Sequence, residues 1–296
     1  MVSISRKYIA SIFNKYYPYA YVKCKINNGN VIECLSTPLD VHLGNVGKAI
    51  KIFTRRLKVI ATRTRDYFGW NFNEFEEFIY TIGAFHDLGK TSIQYLDKFS
   101  EKKDIIKSSF PEHEYIISLI IGYASLRKSN VILKRRLKLL AKIIARHHSA
   151  MINRHPIQRR RYLHDPKLKR TYISLIIKTI KLLKPKVIED LCAKLCKSNM
   201  VCREIYAAIY DALKDIIENG MTKTYIEPLY ELLVGFESLE ELILTNALTG
   251  ALIVADTLCA EEERRESDDE LSPIYAKYWR REIMFSRNFL NEYNKT

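Results

Sequence analysis

Phe85-His86-Asp87-Leu88-Gly89-Lys90 is the stretch around which the rest of the chain is organised. It follows an apolar run, residues 75–84, whose spacing predicts a helix that ends close to this point. Neighbouring helical residues point about 100° apart, so an adjacent His and Asp serve one chemical centre best where the helix ends or where two metal ions share the site. Both arrangements require further ligands from elsewhere in the chain.

Candidate ligands stand at five other positions, each in or beside a stretch with helical spacing. These are His42, His113, His147, His148 and Asp256. A single His on an apolar face is usually a core or surface residue, but the joint pattern of imidazoles and carboxylates suits divalent ions such as manganese, iron, cobalt, nickel and zinc. One carboxylate can bridge two such ions about 3.5–4 Å apart, an arrangement that favours phosphoester hydrolysis. A carboxylate at Asp256, inside an apolar helix, is costly to bury unless it coordinates a metal.

The segment Gly89-Lys90-Thr91 also matches the end of a phosphate-binding P-loop. That motif requires a glycine five residues before Gly89 and a strand that leads into the loop. The chain has Ala84 at that position, Gly83 is displaced by one residue, and a helical pattern leads in. The sequence therefore excludes a P-loop ATPase built on this segment.

The overall pattern predicts a mainly α fold, a helical bundle with a small N-terminal β-hairpin. Residues 19–39 contain the one clear strand signal, two runs joined by Asn27-Asn28-Gly29-Asn30. A length of 296 residues suits one domain over 1–296, with a helical elaboration at about 151–240. We expect the acidic run 261–270 to be exposed, and the aromatic spacing at about 273–294 predicts a C-terminal amphipathic helix that packs on the core.

Positive charge is concentrated in one part of the chain. The formal net charge is +14 at pH 7, and residues 127–170 contain fifteen Lys or Arg but a single acid, Asp165. We predict that the basic face of the helix beginning at Val131, with the loop that follows it, forms a groove for sequence-independent, salt-sensitive contacts to a nucleic-acid backbone. An ordinary solvated surface is the alternative. His155 and His164, in the loop, belong to no ligand pattern.

The six cysteines show neither Cys-x-x-Cys spacing nor the density of a secreted disulfide framework, which predicts reduced intracellular thiols. Cys24 and Cys34 flank the predicted hairpin. A two-residue loop would leave them on opposite faces, whereas a three-residue loop would pair them and permit a disulfide.

Two features bear on the compartment. The N-terminus is a poor signal peptide, because Asn14 and Lys15 interrupt the apolar run. The most hydrophobic window, Leu242 to Ala255, is too short for a membrane span, so we expect a buried core helix. These features predict a cytoplasmic protein without a membrane segment.

The order of the candidate ligands resembles the HD superfamily of metal-dependent phosphohydrolases. The resemblance is carried by His42, the pair His86-Asp87, Gly89-Lys90, His113, the doublet His147-His148 and Asp256. A lone His in a Pro111-Glu112-His113 helix start, combined with a His-His doublet, is similar to the HD nuclease of type I CRISPR interference. The early hairpin that leads into His42-Leu43-x-x-Val46 is similar as well. The interval from His148 to Asp256 is longer than expected for a minimal HD domain.

This resemblance implies a two-metal nuclease that cuts single-stranded DNA in antiviral CRISPR interference. The ions would be divalent transition metals (manganese, nickel, cobalt or iron), with magnesium an option. One would be held by His42, His86, Asp87 and Asp256, and the second by Asp87, His113, His147 and His148. Asp87 would bridge them, and Lys90 would orient or neutralise the scissile phosphate, with a solvated loop lysine as the alternative.

The family also implies partners. Its nuclease is often fused to a helicase, and this chain resembles the stand-alone subunit, which works with a separate CRISPR helicase subunit and the RNA-guided surveillance complex. Two other functions stay open. The chain could be an HD phosphohydrolase of free nucleotides, which a closed pocket would favour, or a non-catalytic DNA-binding subunit with a structural metal cluster. A closed structural site seldom uses seven ligands with a shared carboxylate, which favours the enzyme.

Overall fold

The computed structural model of the chain describes residues 6–28, 30–54, 57–102, 104–149, 154–158, 165–221 and 223–263. Within them the chain is mainly helical with a small antiparallel sheet near the N-terminus, which confirms the predicted fold class. The C-terminal helix predicted at about 273–294 and His164 lie outside the described residues. The assignment of 1–296 to a single domain stays a prediction.

The helices of the described residues account for most of the fold. In chain order they are α1 Arg6–Asn14, α2 Leu39–Thr54, α3 Lys58–Arg63, α4 Arg65–Phe68, α5 Phe72–Phe85, α6 His113–Arg127, α7 Val131–Arg146, α8 Pro166–Lys181, α9 Pro185–Leu195, α10 Met200–Asn219, α11 Lys223–Val234 and α12 Leu239–Glu263. Two 3-10 turns, Leu88–Thr91 and Ile93–Asp97, follow α5. A capping box fixes the start of α5, because Asn71 and Glu74 each accept a hydrogen bond of 2.9 Å from the other's backbone N–H.

The sheet contains four strands, β1 Tyr19–Asn27, β2 Asn30–Pro38, β3 Phe99–Lys102 and β4 Ile105–Ser108, in the order β2-β1-β4-β3. The predicted hairpin is β1 and β2. The second hairpin was not predicted, because its strands are four residues long and mostly polar, so they show no clear alternation of apolar and polar residues. A small apolar core lies between α1 and this sheet and includes Ile9, Phe13, Val22 and Ile106.

A disulfide joins Cys24 to Cys34 across the first hairpin. Asn27 pairs with Asn30, so the loop has two residues, and this length alone would leave the cysteines on opposite faces. The register then shifts: Ile26 pairs with Val31 but Lys25 pairs with Glu33, which leaves one extra residue in β2 as a β-bulge. The bulge places Cys24 opposite Cys34, an arrangement that neither predicted loop length included.

Cys196 and Cys202 form a second disulfide between the end of α9 and the start of α10, and Cys192 and Cys259 are free. The expectation of reduced thiols is therefore wrong for four of the six cysteines. That expectation rested on the absence of Cys-x-x-Cys spacing. The register of two strands brings the first pair together, and the connection between two helices brings the second pair together.

A close crossing of α2 and α5 brings two of the predicted ligand segments together. A Cβ atom added to Gly83 would lie only 2.6 Å from the Cα of Gly47. The two helices can therefore approach this closely only because both residues lack a side chain. This contact fixes the His42 segment against the His86-Asp87 segment.

The apolar run near the C-terminal end of the described residues forms α12. By length and composition it is the one helix of the described ranges that could cross a membrane, and 39% of its most apolar window is buried. It packs against α2, α5 and α7, and Leu244, Leu248 and Leu252 are fully buried. Asp256 lies on this helix and points toward α2, so the fold uses the segment as a packed helix of the bundle.

Candidate metal centre

All seven predicted ligand side chains come together in the structure. They belong to five helical segments: the first turn of α2 (His42), the end of α5 (His86, Asp87), the start of α6 (His113), the end of α7 (His147, His148) and α12 (Asp256). Five of the side chains are at most 3% exposed, His148 is half-buried, and the side chain of Asp256 is 19% exposed. The cluster is therefore internal and opens to solvent near Asp256 and His148.

The first group consists of His42, His86, Asp87 and Asp256. Asp256 Oδ1 lies 3.2 Å from His42 Nε2 and 3.6 Å from His86 Nε2. Asp87 Oδ2 lies 3.6 Å from His42 Nε2 and 3.3 Å from His86 Nε2. One ligand atom each from His42, His86 and Asp87 falls within 4.8 Å of the others, a spacing that could hold one metal ion.

The second group consists of Asp87, His113, His147 and His148. Asp87 Oδ1 lies 2.8 Å from His113 Nε2 and 3.6 Å from His147 Nε2, and the Nε2 atoms of His113 and His148 are 3.2 Å apart. Ligand atoms of all four residues fall within 4.8 Å of one another. This group could also hold one ion.

Asp87 belongs to both groups and turns a different oxygen toward each. Its Oδ2 faces His42 and His86, whereas its Oδ1 faces His113 and His147. A carboxylate divided in this way can bridge two ions. The groups adjoin closely, since His86, His147 and Asp256 also offer ligand atoms within 4.8 Å of one another.

Three of the histidines share one hydrogen-bond arrangement. The Nδ1 atoms of His86, His113 and His147 lie 2.6–2.7 Å from the backbone carbonyl oxygen three residues earlier in the chain. Because a carbonyl oxygen only accepts, Nδ1 is the donor, and Nε2 of each neutral ring then presents a lone pair to the cluster. The local backbone thus fixes both the tautomer and the direction of these rings.

Ligand atoms of the cluster are buried without a hydrogen-bond partner among the described residues: Nε2 of His86, Nε2 of His147 and Oδ1 of Asp87. The 2.8 Å approach of His113 to Asp87 Oδ1 is an ion-pair distance without hydrogen-bond geometry. Buried polar atoms left unpaired in this way are costly. A divalent cation would relieve that cost, because imidazole nitrogens and carboxylate oxygens are ligands it prefers, so the residues fit a metal site.

The first group holds protons when no metal is bound. Burial lowers the pKa of His42, but hydrogen bonds with Asp256, Asp87 and Glu263 raise it well above its usual value. Burial also lowers the pKa of His86, and the two aspartates raise it to about 9. Protons therefore occupy part of the place that a cation would take.

Two histidines of the second group, His113 and His148, are neutral near pH 7. Burial lowers the pKa of His148 well below its usual value, and the neighbouring His147 and His113 lower it further. Burial likewise lowers the pKa of His113, although Asp87 opposes the shift. These rings are ready to accept a metal near pH 7 without first losing a proton.

Lys90 contacts the bridging carboxylate. Its Nζ lies 2.5 Å from Asp87 Oδ2, donates to the carbonyl oxygen of Ala20 at 3.2 Å and sits 4.9 Å from the centre of the Phe110 ring. Burial would raise the pKa of the Asp87 carboxyl, but His86, Lys90 and His113 hold it well below its usual range. The side chain of Lys90 is 12% exposed, so the alternative of a solvated loop lysine is wrong.

Glu263 is a residue of this site that the sequence did not reveal. Its Oε2 lies 2.9 Å from His42 Nδ1, and its Oε1 accepts a hydrogen bond of 3.1 Å from Asn45. The side chain of Glu263 is 12% exposed, so the expectation of an exposed acidic run is wrong at this position. The available signal was its spacing of two helical turns from Asp256, which puts both carboxylates on one face.

A second buried carboxylate supports the site from α6. Glu114 is fully buried and accepts hydrogen bonds from Arg154, including one of 2.7 Å from Nε. The hydroxyl of Tyr115 donates to the backbone oxygen of Arg154 at 2.6 Å. One arginine of the predicted basic loop is thereby tied to the residue after His113. Among the described residues, His155 belongs to none of the groups that could hold a metal ion.

The basic side chains of α7 are used inside the fold. Arg136 donates to the carbonyl oxygens of Phe68 and Gly69, Lys142 pairs with Glu241 at 2.7 Å, and Arg146 donates to the carbonyl oxygen of Val234 at 3.3 Å. All three cations are at most 4% exposed. Both the predicted nucleic-acid groove and its alternative, a solvated surface, require exposed cations, so neither describes these three residues. Neighbouring segments supply acids and carbonyl oxygens that pair with them.

In comparisons with protein-family models, curated proteins and solved structures, nothing matches this chain. The geometry described above is therefore what a functional assignment rests on.

Proposed function

We propose that this chain is a two-metal HD nuclease that hydrolyses phosphodiester bonds of single-stranded DNA in CRISPR interference. In this proposal a separate helicase subunit supplies the single strand, and an RNA-guided surveillance complex selects the target.

The observation that carries the proposal is the division of Asp87 between two groups of ligands. Oδ1 faces His113 and His147, and Oδ2 faces His42 and His86. Bound at these groups, two divalent ions would lower the pKa of a water molecule and neutralise oxygens of the phosphate. Manganese, nickel, cobalt and iron suit this mixture of imidazole and carboxylate best, and magnesium suits it less.

The chain's own residues have distinct roles in this proposal. His86, His113 and His147 offer Nε2 because their Nδ1 atoms are held by backbone carbonyl oxygens. Lys90 supplies a positive charge beside Asp87 for the oxygens of the scissile phosphate. The partial opening of the cluster at Asp256 provides access for a substrate strand.

The test is cleavage of end-labelled single-stranded and double-stranded DNA by metal-stripped protein, with manganese, nickel or magnesium restored one at a time. Asp87→Ala should abolish cleavage with the fold retained, while Asp66→Ala, at an exposed acid of α4, should cut normally. Cleavage that persists undiminished in Asp87→Ala would overturn the site assignment.

Hydrolysis of free nucleotides is the second candidate. It is favoured by the internal pairing of Arg136, Lys142 and Arg146, which removes these side chains from a groove along α7. The same metal-restored protein would then release phosphate from nucleotides and leave single-stranded DNA intact. A non-catalytic subunit would differ from both, since metal removal would unfold it and neither substrate would be hydrolysed.

A further inference from the structure

A groove of about 500 Å³ runs along the solvent side of α8. It is lined by Arg170, Ser174, Ile177, Lys178, Lys181 and Leu182. Within the part of the chain that the structure describes, the lining contains three cations and no acid. These cations recur at helical spacing on one face, and from Arg170 to Lys181 the helix advances about 16 Å.

The cations of this groove differ from those of α7 in what they contact. Arg170, Lys178 and Lys181 are exposed, and none has an ion pair or hydrogen bond with an acid among the described residues. On α7, by contrast, Lys142 and Arg146 are buried and paired within the fold. Unlike these two cations of α7, the three cations of α8 are therefore available to an outside partner.

The C-terminal end of α8 is fixed to the segment that carries the bridging aspartate. The backbone N–H of Ile93 donates to Leu182 at 3.0 Å, and the side chains of Ser92 and Gln94 donate to Thr179 at 3.1 and 2.6 Å. These contacts begin five residues after Asp87. The groove consequently has a set position relative to the metal centre.

The N-terminal half of α8 contacts the segment that carries His113. The hydroxyl of Tyr172 donates to Glu112, the residue before His113, at 3.3 Å. The helix thus contacts segments that supply ligands to both groups. A strand bound along α8 would be held at a fixed distance from the place where it is cut.

We propose that this groove binds the phosphate backbone of single-stranded nucleic acid, an inference that rests on the proposed nuclease function and adds the surface that holds its substrate. Three cations spaced along about 16 Å of helix can each contact a phosphate of a strand that follows α8. Among the described residues no aromatic side chain lines the groove, so the contacts are made to phosphates and are independent of sequence.

The experiment reverses the three charges in the whole chain, as Arg170→Glu, Lys178→Glu and Lys181→Glu together. Binding of a fluorescent oligothymidine of about 16 nucleotides to the metal-stripped protein is followed by anisotropy between about 50 and 200 mM salt. Loss of three phosphate contacts should reduce affinity at least about tenfold at low salt and lower the slope of log K against log salt by about 2.

A matched control carries the same change of net charge elsewhere, at the exposed cations Lys48, Lys197 and Arg203. It should keep the salt slope of the unmodified protein. Equal loss in the two variants would overturn the proposal, because net charge alone would then explain it. If the groove variant loses binding to polyglutamate but still binds oligothymidine, the proposal is also overturned. The groove would then be assigned to an acidic protein partner.

A second readout separates this inference from the nuclease proposal. Bis(4-nitrophenyl) phosphate is too small to extend along α8, so the groove variant should hydrolyse it at the unmodified rate. If the unmodified protein hydrolyses no phosphodiester but the groove variant still loses oligothymidine binding, the nuclease proposal fails and the groove stands. If the triple variant does not fold, the double variant Lys178→Gln, Lys181→Gln replaces it. The slope of log K against log salt should then be lower by about 1.4.

Discussion

The two groups of ligands are held in place by different kinds of contact. In the second group, His113 and His147 are oriented by carbonyl oxygens three residues earlier in the chain. In the first group, His42 is oriented by Glu263, which is 221 residues away in sequence. Local backbone geometry therefore orients two rings of the second group. The first group combines one ring fixed in the same way, His86, with His42, whose orientation depends on how α12 docks.

The two groups also differ in what they require before they can bind metal. In the second group, burial lowers the pKa of His113 and His148, so these two rings are neutral. The first group has to lose protons from His42 and His86 and also needs Asp256 to be in position. We expect the two ions to bind unequally, with the second group filled first near pH 7.

Asp87→Asn should have the largest effect, because it removes the one charge that both groups share. Loss of several kcal/mol of transition-state stabilisation corresponds to a fall in kcat/KM of about 10³-fold or more. Metal content after dialysis, measured by mass spectrometry, should drop from two ions toward none. Two ions retained in this variant would mean that Asp87 is not a bridge.

Asp256→Asn should break the first group alone. We expect metal content to fall from two ions to one and the rate to fall by about 10²-fold, or roughly 3 kcal/mol. The counterpart His148→Gln should also remove one ion, but from the second group. The double variant should bind neither, and a double variant that retains an ion would contradict the division into two groups.

Glu263→Gln should weaken the first group without removing it, because the residue positions His42 through Nδ1. Loss of such a supporting contact typically weakens metal binding 10- to 100-fold, so in calorimetry one of the two binding steps should weaken by at least about tenfold. The exposed neighbour Glu262→Gln is the control. Equal weakening of both steps would show a general effect on folding instead.

Acid should affect the two binding steps differently. The pKa of His86 is raised to about 9, so this ring is protonated at pH 7 and metal binding displaces its proton. Affinity for the first ion site should therefore rise about tenfold per pH unit for each displaced proton between about pH 7 and 9, while the second step changes little. Calorimetry in buffers of different ionisation enthalpy measures the proton release. If both binding steps had the same pH dependence, the two groups would not differ in the protons that they hold before metal binds.

The seven predicted ligand residues come together in the fold because each stands where helical spacing or a helix end gives it a direction, and their role as ligands stays a prediction. His113 does open α6, and His147 does end α7. Glu263 was missed because a carboxylate in a run of acids looks like solvated surface, and only the docking of α12 on α2 brings it to His42.

The second hairpin and the pairing of the α7 cations could not be predicted from the sequence, because both depend on contacts between segments that are distant in the chain. Strand pairing of β4 with β1 joins segments about 80 residues apart, and Lys142 meets Glu241 across about 100 residues. Local periodicity identifies an element and its apolar face, but it does not say which neighbour will supply a partner for a charge. Such contacts are set by tertiary packing.

The place of Asp256 in the chain has a consequence for biosynthesis. A ribosome finishes the second group with His148, and about a hundred further residues must be added before α12 exists. At roughly 5–20 residues per second this takes about 5–20 s. A nascent chain can therefore hold at most one of the two groups in full during that interval, so the cluster of seven side chains is complete only after α12 has emerged and docked.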